Sequence, residues 1–406
     1  MRDRGRLCWT GVGFCVLMAV RSLAQPVGPW DREALYRAPQ VFAAPEYSTN
    51  DVKAVFYEGE PYQGKPTRVF AYYALPKVEP GTKVPGIVLI HGGGGSAFIR
   101  WVKLWNSRGY AAISMDTCGA VSGNAFGDEQ KGHQRHAWSG PAGWGGFDKY
   151  ADPVRDQWTY HAVAAAVRGH SLLRSFPQVD VGRVGVTGIS WGGYLTCIVA
   201  GVDDRFAFAV PVYGCGFLGD NSAWLTSFQG MGRENARKWL ELWDPSSYLP
   251  FAKMPFLWVT GSNDFAYPMD SLQKSYRALK VPHTLCVRLR MPHGHGAPGE
   301  NPKEILAFAE HFTRGALALP EIKGVSREGR KVKVVFNSNQ RVVVRAELNY
   351  TADKGSWKER KWEAVPVELN ACVGEVTLDI PEAATVYYVN LFTDDDLVVS
   401  SAHEEL

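Results

Sequence analysis

The chain has 406 residues, 21% of them charged, and a formal net charge of +3. This balance is ordinary for a globular protein, and without a Lys/Arg run it gives no basic patch for nucleic acid, so we expect no nucleic-acid partner. The length allows more than one hydrophobic core. The fourteen tryptophans fill cores for the most part, but they also suggest a surface that stacks on flat groups such as sugar rings or aromatic esters.

Residues 1–24 have the pattern of a secretory signal peptide. Three arginines within the first six residues precede the apolar run Leu7–Val20, and Ser22–Ala24 then offers the small residues that a signal peptidase reads. The apolar run is too short for a comfortable membrane span. We therefore expect cleavage before Gln25 and an exported protein without a stable membrane anchor.

Five cysteines follow the signal segment, and their number leaves at least one thiol unpaired. They are Cys118, Cys197, Cys215, Cys286 and Cys372. Several have apolar neighbours and fit small buried residues better than disulfide partners. The sequence leaves open whether two of them form a disulfide. No Cys/His spacing indicates a metal site, and we expect no cofactor.

Residues 25–319 alternate between strands and helices, which predicts a doubly wound, mostly parallel α/β sheet. The continuous apolar run Gly86–Ile90 is typical of a strand buried on both faces. The predicted strands are Val52–Tyr57, Thr67–Leu75, Gly86–Ile90, Ala111–Met115, one ending at Thr187, Phe206–Val212, Phe256–Thr260 and Thr284–Leu289. The predicted helices are Phe98–Ser107, Asp156–Ser175, one after Ser190, Met269–Leu279 and Pro302–Thr313.

The pattern changes near Pro320. Residues 320–406 contain short, partly alternating β-branched runs and no long helical period, for example Lys331–Val334 and Val376–Ile380. This pattern predicts a second, small β-sandwich-like domain after the α/β domain.

The stretch Val184–Tyr194 contains Gly188-Ile189-Ser190-Trp191-Gly192, a G-x-S-x-G pattern between a strand and an apolar helix. In a nucleophile elbow this pattern holds a serine on a strained turn, and glycines are needed where the strand and helix backbones come close. The pentapeptide alone is weak evidence, because an ordinary glycine-rich turn has the same composition.

A glycine-rich turn, His91–Gly95, directly follows the buried strand. In serine hydrolases such a turn presents a backbone N–H to the oxyanion of the tetrahedral intermediate, and the residue after the serine presents another. The donors predicted here are Gly92 or Gly93, together with Trp191. A phosphate-binding loop is less favoured because its Lys and Ser/Thr are absent.

An acid and a base follow the serine in chain order. Asp264 comes after the strand Phe256–Thr260, where it could accept the Nδ1–H of a histidine. The segment after the last strand of the α/β domain offers two histidines, His293 and His295. Because Gly294-His295-Gly296 fits the Gly-His turn of many such enzymes, His295 is predicted to be the general base, with His293 lining the site.

The loop from about residue 116 to 153 is long for a compact domain, and such loops are usually functional. It follows the carboxyl end of a strand and contains Trp138 and Trp144. We interpret it as a lid or substrate platform in which these two tryptophans bind substrate. His133 and His136 in the same loop have no acidic or cysteine partner at ligand spacing, so they do not predict a metal site.

These motifs resemble the α/β-hydrolase superfamily, and especially acetyl xylan esterases and dienelactone-hydrolase-like proteins. The residues that carry the resemblance are Gly188–Tyr194, Gly261–Asp264 and Gly294–Gly296, and it extends over roughly residues 50–315. The Ser-Trp-Gly-Gly-Tyr elbow is also similar to the prolyl oligopeptidase family. The resemblance implies a serine esterase with Ser190, Asp264 and His295 as its triad, acting on acyl esters of carbohydrates or of small molecules.

Two alternatives remain open. One is an oligopeptidase or aminopeptidase, whose relatives usually carry a large β-propeller before the hydrolase, whereas fewer than about ninety residues precede the turn at His91. The other is a non-catalytic carbohydrate-binding protein on a hydrolase scaffold, which the β-rich tail would permit.

Overall fold

The computed structural model describes residues 27–121 and 134–406. The strands of the α/β part are β1 Val41–Ala43, β2 Lys53–Glu58, β3 Arg68–Ala74, β4 Val84–Ile90, β5 Ala111–Met115, β6 Ala120–Val121, β7 Gln134–Arg135, β8 Val179–Ile189, β9 Phe208–Val212, β10 Phe256–Gly261 and β11 His283–Arg288. Its helices are α1 Arg32–Tyr36, α2 Ile99–Ser107, α3 Trp158–Ser175, α4 Trp191–Val202, α5 Leu225–Met231, α6 Arg233–Trp243, α7 Met269–Ala278, α8 Ala297–Glu300 and α9 Lys303–Arg314. The signal-peptide prediction for residues 1–24 lies outside the described residues.

The main sheet has the strand order β1-β2-β3-β5-β4-β8-β9-β10-β11. The pairs from β5 to β11 are parallel, and β1, β2 and β3 form an antiparallel edge. This is the α/β-hydrolase arrangement, and it confirms the predicted fold class. Because β4, β8, β10 and β11 all run in one direction, the turns that follow them meet at a single edge of the sheet.

Burial explains the sequence pattern of the central strands. All seven residues of β4 are buried, which fits its continuous apolar run, and helix α3 is buried over most of its length. The insertion between β9 and β10, for which the sequence pattern predicts no helix or strand, contains α5 and α6. No helix among the described residues is both long and apolar enough to cross a membrane.

The C-terminal β-rich region contains β12 Glu321–Glu328, β13 Lys331–Asn337, β14 Val343–Thr351, β15 Glu363–Asn370, β16 Glu375–Asp379, β17 Val386–Thr393, β18 Val398–Ser400 and β19 Glu404–Glu405. Strand β15 pairs with β14 through its first half and with β16 through its second half, so it joins the two parts of this antiparallel region. The region encloses an apolar cluster of its own, built on Val332, Val334, Val376 and Val389. The domain boundary near Pro320 stays a prediction.

The C-terminal region contacts the α/β part at strand β11 and at the turns that follow β10 and β11. Strand β18 pairs antiparallel with β11 at Leu285 and Ser400. The Asn263 side-chain amide donates to the carbonyl oxygens of Trp357, Lys358 and Arg360 at 2.7–3.2 Å. The guanidinium of Arg290 donates to the Trp362 carbonyl oxygen at 3.1 Å.

Strand β8 and helix α4 meet at a point where their backbones touch. A Cβ atom at Gly188 would overlap the Gly192 carbonyl group, and a Cβ atom at Gly192 would overlap the Ile90 carbonyl oxygen at the end of β4. The obstacles are backbone atoms, which cannot rotate away as a flexible side chain could. Glycine is therefore required at both positions for the strand, the turn and the helix to pack as they do.

We predict that Gly192→Ala lowers the free energy of unfolding by about 1–3 kcal/mol, or prevents folding, because the added methyl group forces α4 away from β4. Gly230→Ala is the control: Gly230 lies in α5 with no atom within 4 Å of an added Cβ, and alanine there should be neutral or slightly stabilising. Urea unfolding followed by tryptophan fluorescence measures both variants. Equal stability of Gly192→Ala and the unaltered protein would contradict the close-contact explanation.

Candidate active site

Ser190 lies on the turn between β8 and α4 in a strained conformation. Its φ and ψ angles are 58° and −118°, a combination that residues with a side chain rarely adopt. Two backbone hydrogen bonds hold the turn: the Ser190 N–H donates to the Val212 carbonyl oxygen at 2.8 Å, and the Tyr194 N–H donates to the Ser190 carbonyl oxygen at 2.9 Å. The hydroxyl group therefore lies at the carboxyl edge of the sheet, as in a nucleophile elbow.

A hydrogen-bonded chain links Ser190 to Asp264 through His293. The Ser190 Oγ lies 2.9 Å from His293 Nε2, and His293 Nδ1 lies 2.6 Å from Asp264 Oδ2. Because an ionised carboxylate can only accept, Nδ1 carries the proton and Nε2 is left to accept the serine hydroxyl. The Asp264 side chain is almost fully buried, whereas the His293 ring is 13% exposed, so the ring can be reached from the site.

Backbone donors fix the carboxylate of Asp264. Its second oxygen, Oδ1, accepts the N–H groups of Ala266 and Tyr267 at 2.9 and 2.8 Å. These two hydrogen bonds hold the carboxylate plane in place, so Oδ2 is directed at His293.

The geometry contradicts the choice of His295 as the general base. His295 Nε2 accepts the Gly92 N–H at 2.9 Å, and its Nδ1 lies 3.1 Å from Glu300 Oε1. Both ring nitrogens therefore have partners other than Ser190. The Gly-His turn pattern did not distinguish two histidines that are only two residues apart, and the path of the loop brings His293, the residue predicted to line the site, to the serine.

Two aromatic rings flank His293. The Tyr213 ring stacks on it at 4.7 Å between centroids, and the Tyr213 hydroxyl donates to the Pro292 carbonyl oxygen at 2.7 Å. Burial raises the pKa of Tyr213 above its usual range, so the hydroxyl stays protonated and keeps this bond. The Phe265 ring also lies 4.7 Å from His293 and is 57% exposed. Phe265 is thus an open aromatic surface beside the base.

The turn His91–Gly95 lies against the elbow, as the predicted oxyanion site requires. A Cβ atom at Gly92 would lie 2.8 Å from the Ile189 carbonyl oxygen, and one at Gly93 would lie 2.7 Å from Cδ1 of Trp191. The Gly92 N–H is bonded to His295 and is therefore not available to an oxyanion. Of the predicted donors, the N–H groups of Gly93 and Trp191 remain. Gly93 follows Gly92, whose Cβ position lies 3.1 Å from Ser190 Cβ, and Trp191 follows the serine itself.

The ring of Trp191 belongs to an aromatic cluster beside Ser190. Its centroid lies 4.4 Å from that of Trp224 and 5.8 Å from that of Phe147, and Phe147 packs on Trp239 at 5.0 Å. Trp239 Nε1 also donates to the Gly145 carbonyl oxygen at 3.0 Å. The long loop and the insertion with α5 and α6 therefore meet next to the elbow.

The two tryptophans predicted to bind substrate lie in different places. Trp144 lies near the oxyanion turn, with its Cγ 3.8 Å from the position of a Cβ atom on Gly93. Trp138 is 43% exposed, and its ring contacts the Arg68 guanidinium and Phe56 at the β2–β3 side of the sheet. The structure brings Trp144, but not Trp138, to the elbow.

The histidines of the long loop give no metal site in the part of the chain that the structure describes. His133 lies outside the described residues, and His136 packs edge-on against Phe56 at 4.9 Å. Burial lowers the pKa of His136 to about 4. Across residues 27–121 and 134–406 no group of three or more His, Cys, Asp or Glu side chains is placed to hold a metal ion. The five described cysteines are unpaired, four of them buried, as their apolar neighbours predicted.

Sequence reasoning missed four residues of the site: Arg100, Tyr213, Phe265 and Glu300. Tyr213 directly follows β9 and Phe265 directly follows Asp264, so their position after strands was an available signal. Arg100 and Glu300 are 200 residues apart, and the Arg100 guanidinium binds both carboxylate oxygens of Glu300 at 3.1 and 2.7 Å. No local pattern indicates that pair.

Fold and site together define a serine hydrolase with an α/β-hydrolase fold, a class in which a serine elbow, a histidine and an acid meet at the carboxyl edge of the sheet. Two family models match the chain: "Acetyl xylan esterase (AXE1)" over residues 37–227 and "Prolyl oligopeptidase family" over residues 140–318. Their overlap contains the elbow. The chain therefore resembles both families.

Solved structures agree on the fold. An acetyl xylan esterase from Paenibacillus sp. R4 superposes with a TM-score of 0.54 at 22% identity, covering 69% of this chain and 92% of that one. Acetyl xylan esterase 1 from Thermoanaerobacterium sp. JW/SL YS485 also gives 0.54, at 18% identity and 71% and 94% coverage. The "Uncharacterized peptidase YuxL" of Bacillus subtilis (strain 168) is 26% identical over 216 residues, which are 50% of this chain but only 29% of YuxL.

We predict that Glu300→Gln lowers the free energy of unfolding at neutral pH by about 1–3 kcal/mol, because hydrogen bonds to a charged group contribute about this much. Burial alone would raise the Glu300 pKa, but the hydrogen bonds from His295 and Arg100 lower it to about 2 from an ordinary value of 4.5. The stabilisation is therefore complete above about pH 4.5 and is lost as the pH falls toward about 2.

Thermal unfolding from pH 7 to pH 2.5 measures this effect, with the exposed Glu33→Gln as control. The difference between Glu300→Gln and the unaltered protein should shrink as the pH falls, whereas Glu33→Gln should match the unaltered protein throughout. A difference that is independent of pH would show that the carboxylate charge is not what stabilises this contact.

Proposed function

We propose that this protein is an exported serine esterase that cleaves carboxylic esters, with acetyl or other acyl groups on carbohydrates as its substrates. Ser190 is the nucleophile, His293 the general base and Asp264 the residue that orients the base. The observation that carries the proposal is the hydrogen-bonded chain from Ser190 Oγ through His293 to Asp264, at 2.9 and 2.6 Å. No cofactor takes part in this chemistry.

The chemistry has two halves. In the first, the Ser190 proton moves to His293 Nε2 while Oγ forms a bond to the ester carbonyl carbon. The tetrahedral intermediate then loses the alcohol, which takes the proton from His293, and an acyl-enzyme remains. In the second half, His293 takes a proton from water, the resulting hydroxide attacks the acyl carbon, and the acid leaves as Ser190 regains its proton.

The oxyanion of each intermediate would lie between the N–H groups of Gly93 and Trp191. Each preorganised donor of this kind is worth about 3 kcal/mol of barrier. Within the aromatic cluster beside Ser190, Trp191 is only 6% exposed. Tight packing beside the serine supports a small acyl group such as acetyl.

The match to the acetyl xylan esterase model over residues 37–227 supports an ester substrate. On the alcohol side, the exposed Phe265 ring next to His293 offers a flat apolar surface, and sugar rings stack on such surfaces through their C–H faces. We therefore favour a carbohydrate as the alcohol.

A second candidate function is peptide or aminoacyl hydrolysis. The specific observation in its favour is the match to the prolyl oligopeptidase model over residues 140–318, which covers the whole Ser190–His293–Asp264 arrangement. A substrate panel separates the two candidates: acetyl, feruloyl and glucuronoyl esters on one side and aminoacyl arylamides on the other. Arylamide turnover equal to ester turnover would favour the peptidase.

Export is the remaining part of the proposal, and it is supported by the basic residues, apolar run and small residues of positions 1–24. The substrate would then be an extracellular or periplasmic ester, such as acylated polysaccharide or its fragments.

We predict that Ser190→Ala and His293→Gln each lower kcat on p-nitrophenyl acetate by about 10⁴–10⁶-fold, because nucleophile and base act as a unit. Ser190→Ala should also lose labelling by a fluorophosphonate probe. Steady-state kinetics and probe labelling measure these effects. If Ser190→Ala is as active as the unaltered protein, the mechanism is wrong. If the probe does not label Ser190 in the unaltered protein, the non-catalytic alternative gains support.

We predict that Phe265→Ala raises KM for acetylated xylo-oligosaccharides about 2–10-fold, because stacking on an aromatic ring contributes about 0.5–1.5 kcal/mol. KM for ethyl acetate should change little, since this alcohol has no ring to stack. Phe251→Ala is the matched control, as Phe251 is another exposed phenylalanine, 48% exposed. The same rise for both substrates would argue against a sugar-stacking role.

A further inference from the structure

His295 lies within the active site, but the hydrogen bonds of its ring go to residues other than Ser190. Its ring is enclosed by Phe98 and Trp101 at the start of α2, with centroid distances of 4.5 and 5.8 Å, and its side chain is 13% exposed. A buried imidazole needs partners for both nitrogens. Both partners are present: the Gly92 N–H at Nε2 and the Glu300 carboxylate at Nδ1.

These partners define the tautomer of His295. An amide N–H can only donate, so Nε2 must be the unprotonated nitrogen, and Nδ1 carries the proton that Glu300 accepts. Burial lowers the pKa of His295, so the ring is neutral and remains able to accept at Nε2. Glu300 therefore does for His295 what Asp264 does for His293.

The Glu300 carboxylate is itself held in place. Arg100, in the first turn of α2, binds both of its oxygens, and the Glu300 side chain is only 5% exposed. Glu300 ends α8, while His295 lies in the loop before it. The contacts Arg100–Glu300–His295–Gly92 thus connect α2, the loop carrying both histidines, and the oxyanion turn.

The bond to Gly92 determines how that turn faces the substrate. Gly92 follows His91 at the end of β4, and the turn closes with a hydrogen bond from the Gly95 N–H to the Gly92 carbonyl oxygen at 3.1 Å. A Cβ atom on Gly92 would lie 3.1 Å from Ser190 Cβ, so the turn lies directly beside the nucleophile. The bond from the Gly92 N–H to His295 fixes the His91–Gly92 peptide, and the bond from the Gly95 N–H to the Gly92 carbonyl oxygen fixes the next peptide, which carries the Gly93 N–H.

We propose that His295, oriented by Glu300 and Arg100, is a positioning residue that holds the Gly92 peptide so that the Gly93 N–H faces the oxyanion. This inference rests on the proposed function, because it assigns the turn to an acyl-transfer oxyanion. His295 acts through the turn, because both of its ring nitrogens are bonded to groups other than the nucleophile.

The test compares three substitutions at this position. His295→Gln keeps an acceptor that reaches the Gly92 N–H, His295→Asn keeps the amide on a side chain too short to reach, and His295→Leu removes the acceptor. We expect kcat on p-nitrophenyl acetate to fall about 10²–10³-fold in the Asn and Leu variants with KM within about two-fold, since an oxyanion donor acts in the transition state. His295→Gln should recover to within about ten-fold of the unaltered protein.

A second readout does not depend on turnover. A phenylboronic acid adds to Ser190 and places one oxygen in the oxyanion site, so its affinity should fall in parallel with kcat in the Asn and Leu variants. Thermal unfolding of each variant checks the fold. If the Leu variant does not fold, the comparison of Gln with Asn decides the question.

Three results would overturn the inference. They are a kcat within two-fold of the unaltered protein in both the Asn and Leu variants, equal losses in Gln and Asn, or a loss that appears only in KM. Failure of the proposed function looks different, because Ser190→Ala would then retain activity or the unaltered protein would not hydrolyse the ester. In that case boronate affinity alone reports on the turn, and unchanged affinity in the Asn and Leu variants overturns the inference.

Discussion

The site depends on how closely three backbones approach one another at the elbow. Gly188 and Gly192 let β8 and α4 touch, and Gly192 also lies against the carbonyl oxygen of Ile90 at the end of β4. Contact at this point brings the turn after β4 next to the turn after β8. A serine hydroxyl and a row of backbone N–H groups then lie together, and the strained conformation of Ser190 is stable because packing on all sides leaves it no alternative.

Two histidines, two residues apart, use the same chemistry for different purposes. Each is held by a buried carboxylate at Nδ1 and accepts at Nε2, His293 from the Ser190 hydroxyl and His295 from the Gly92 N–H. The difference between them is the donor. A hydroxyl can transfer its proton to the ring during reaction, whereas an amide N–H at this site cannot, so one ring serves as a base and the other holds a backbone turn.

The C-terminal region supports the loops that carry the acid and the base. Asn263, next to Asp264, donates to three carbonyl oxygens of that region, and Arg290, shortly before His293, donates to a fourth. Strand β18 extends the sheet beyond β11. The region thus holds both loops in place through these hydrogen bonds. The aromatic cluster around Trp191 is built instead by the long loop and α6.

Short-range patterns in the sequence were sufficient to predict the α/β architecture, the elbow at Ser190, the turn at His91–Gly95 and the position of Asp264, because each depends on strand period or on glycines at fixed spacing. Tertiary structure alone decided which histidine reaches Ser190 and which glycine N–H is free to face an oxyanion. Both depend on contacts between segments about 200 residues apart, such as Gly92 with His295 and Arg100 with Glu300. A loop's path is set by those distant partners, and neighbouring residues in the chain carry no record of them.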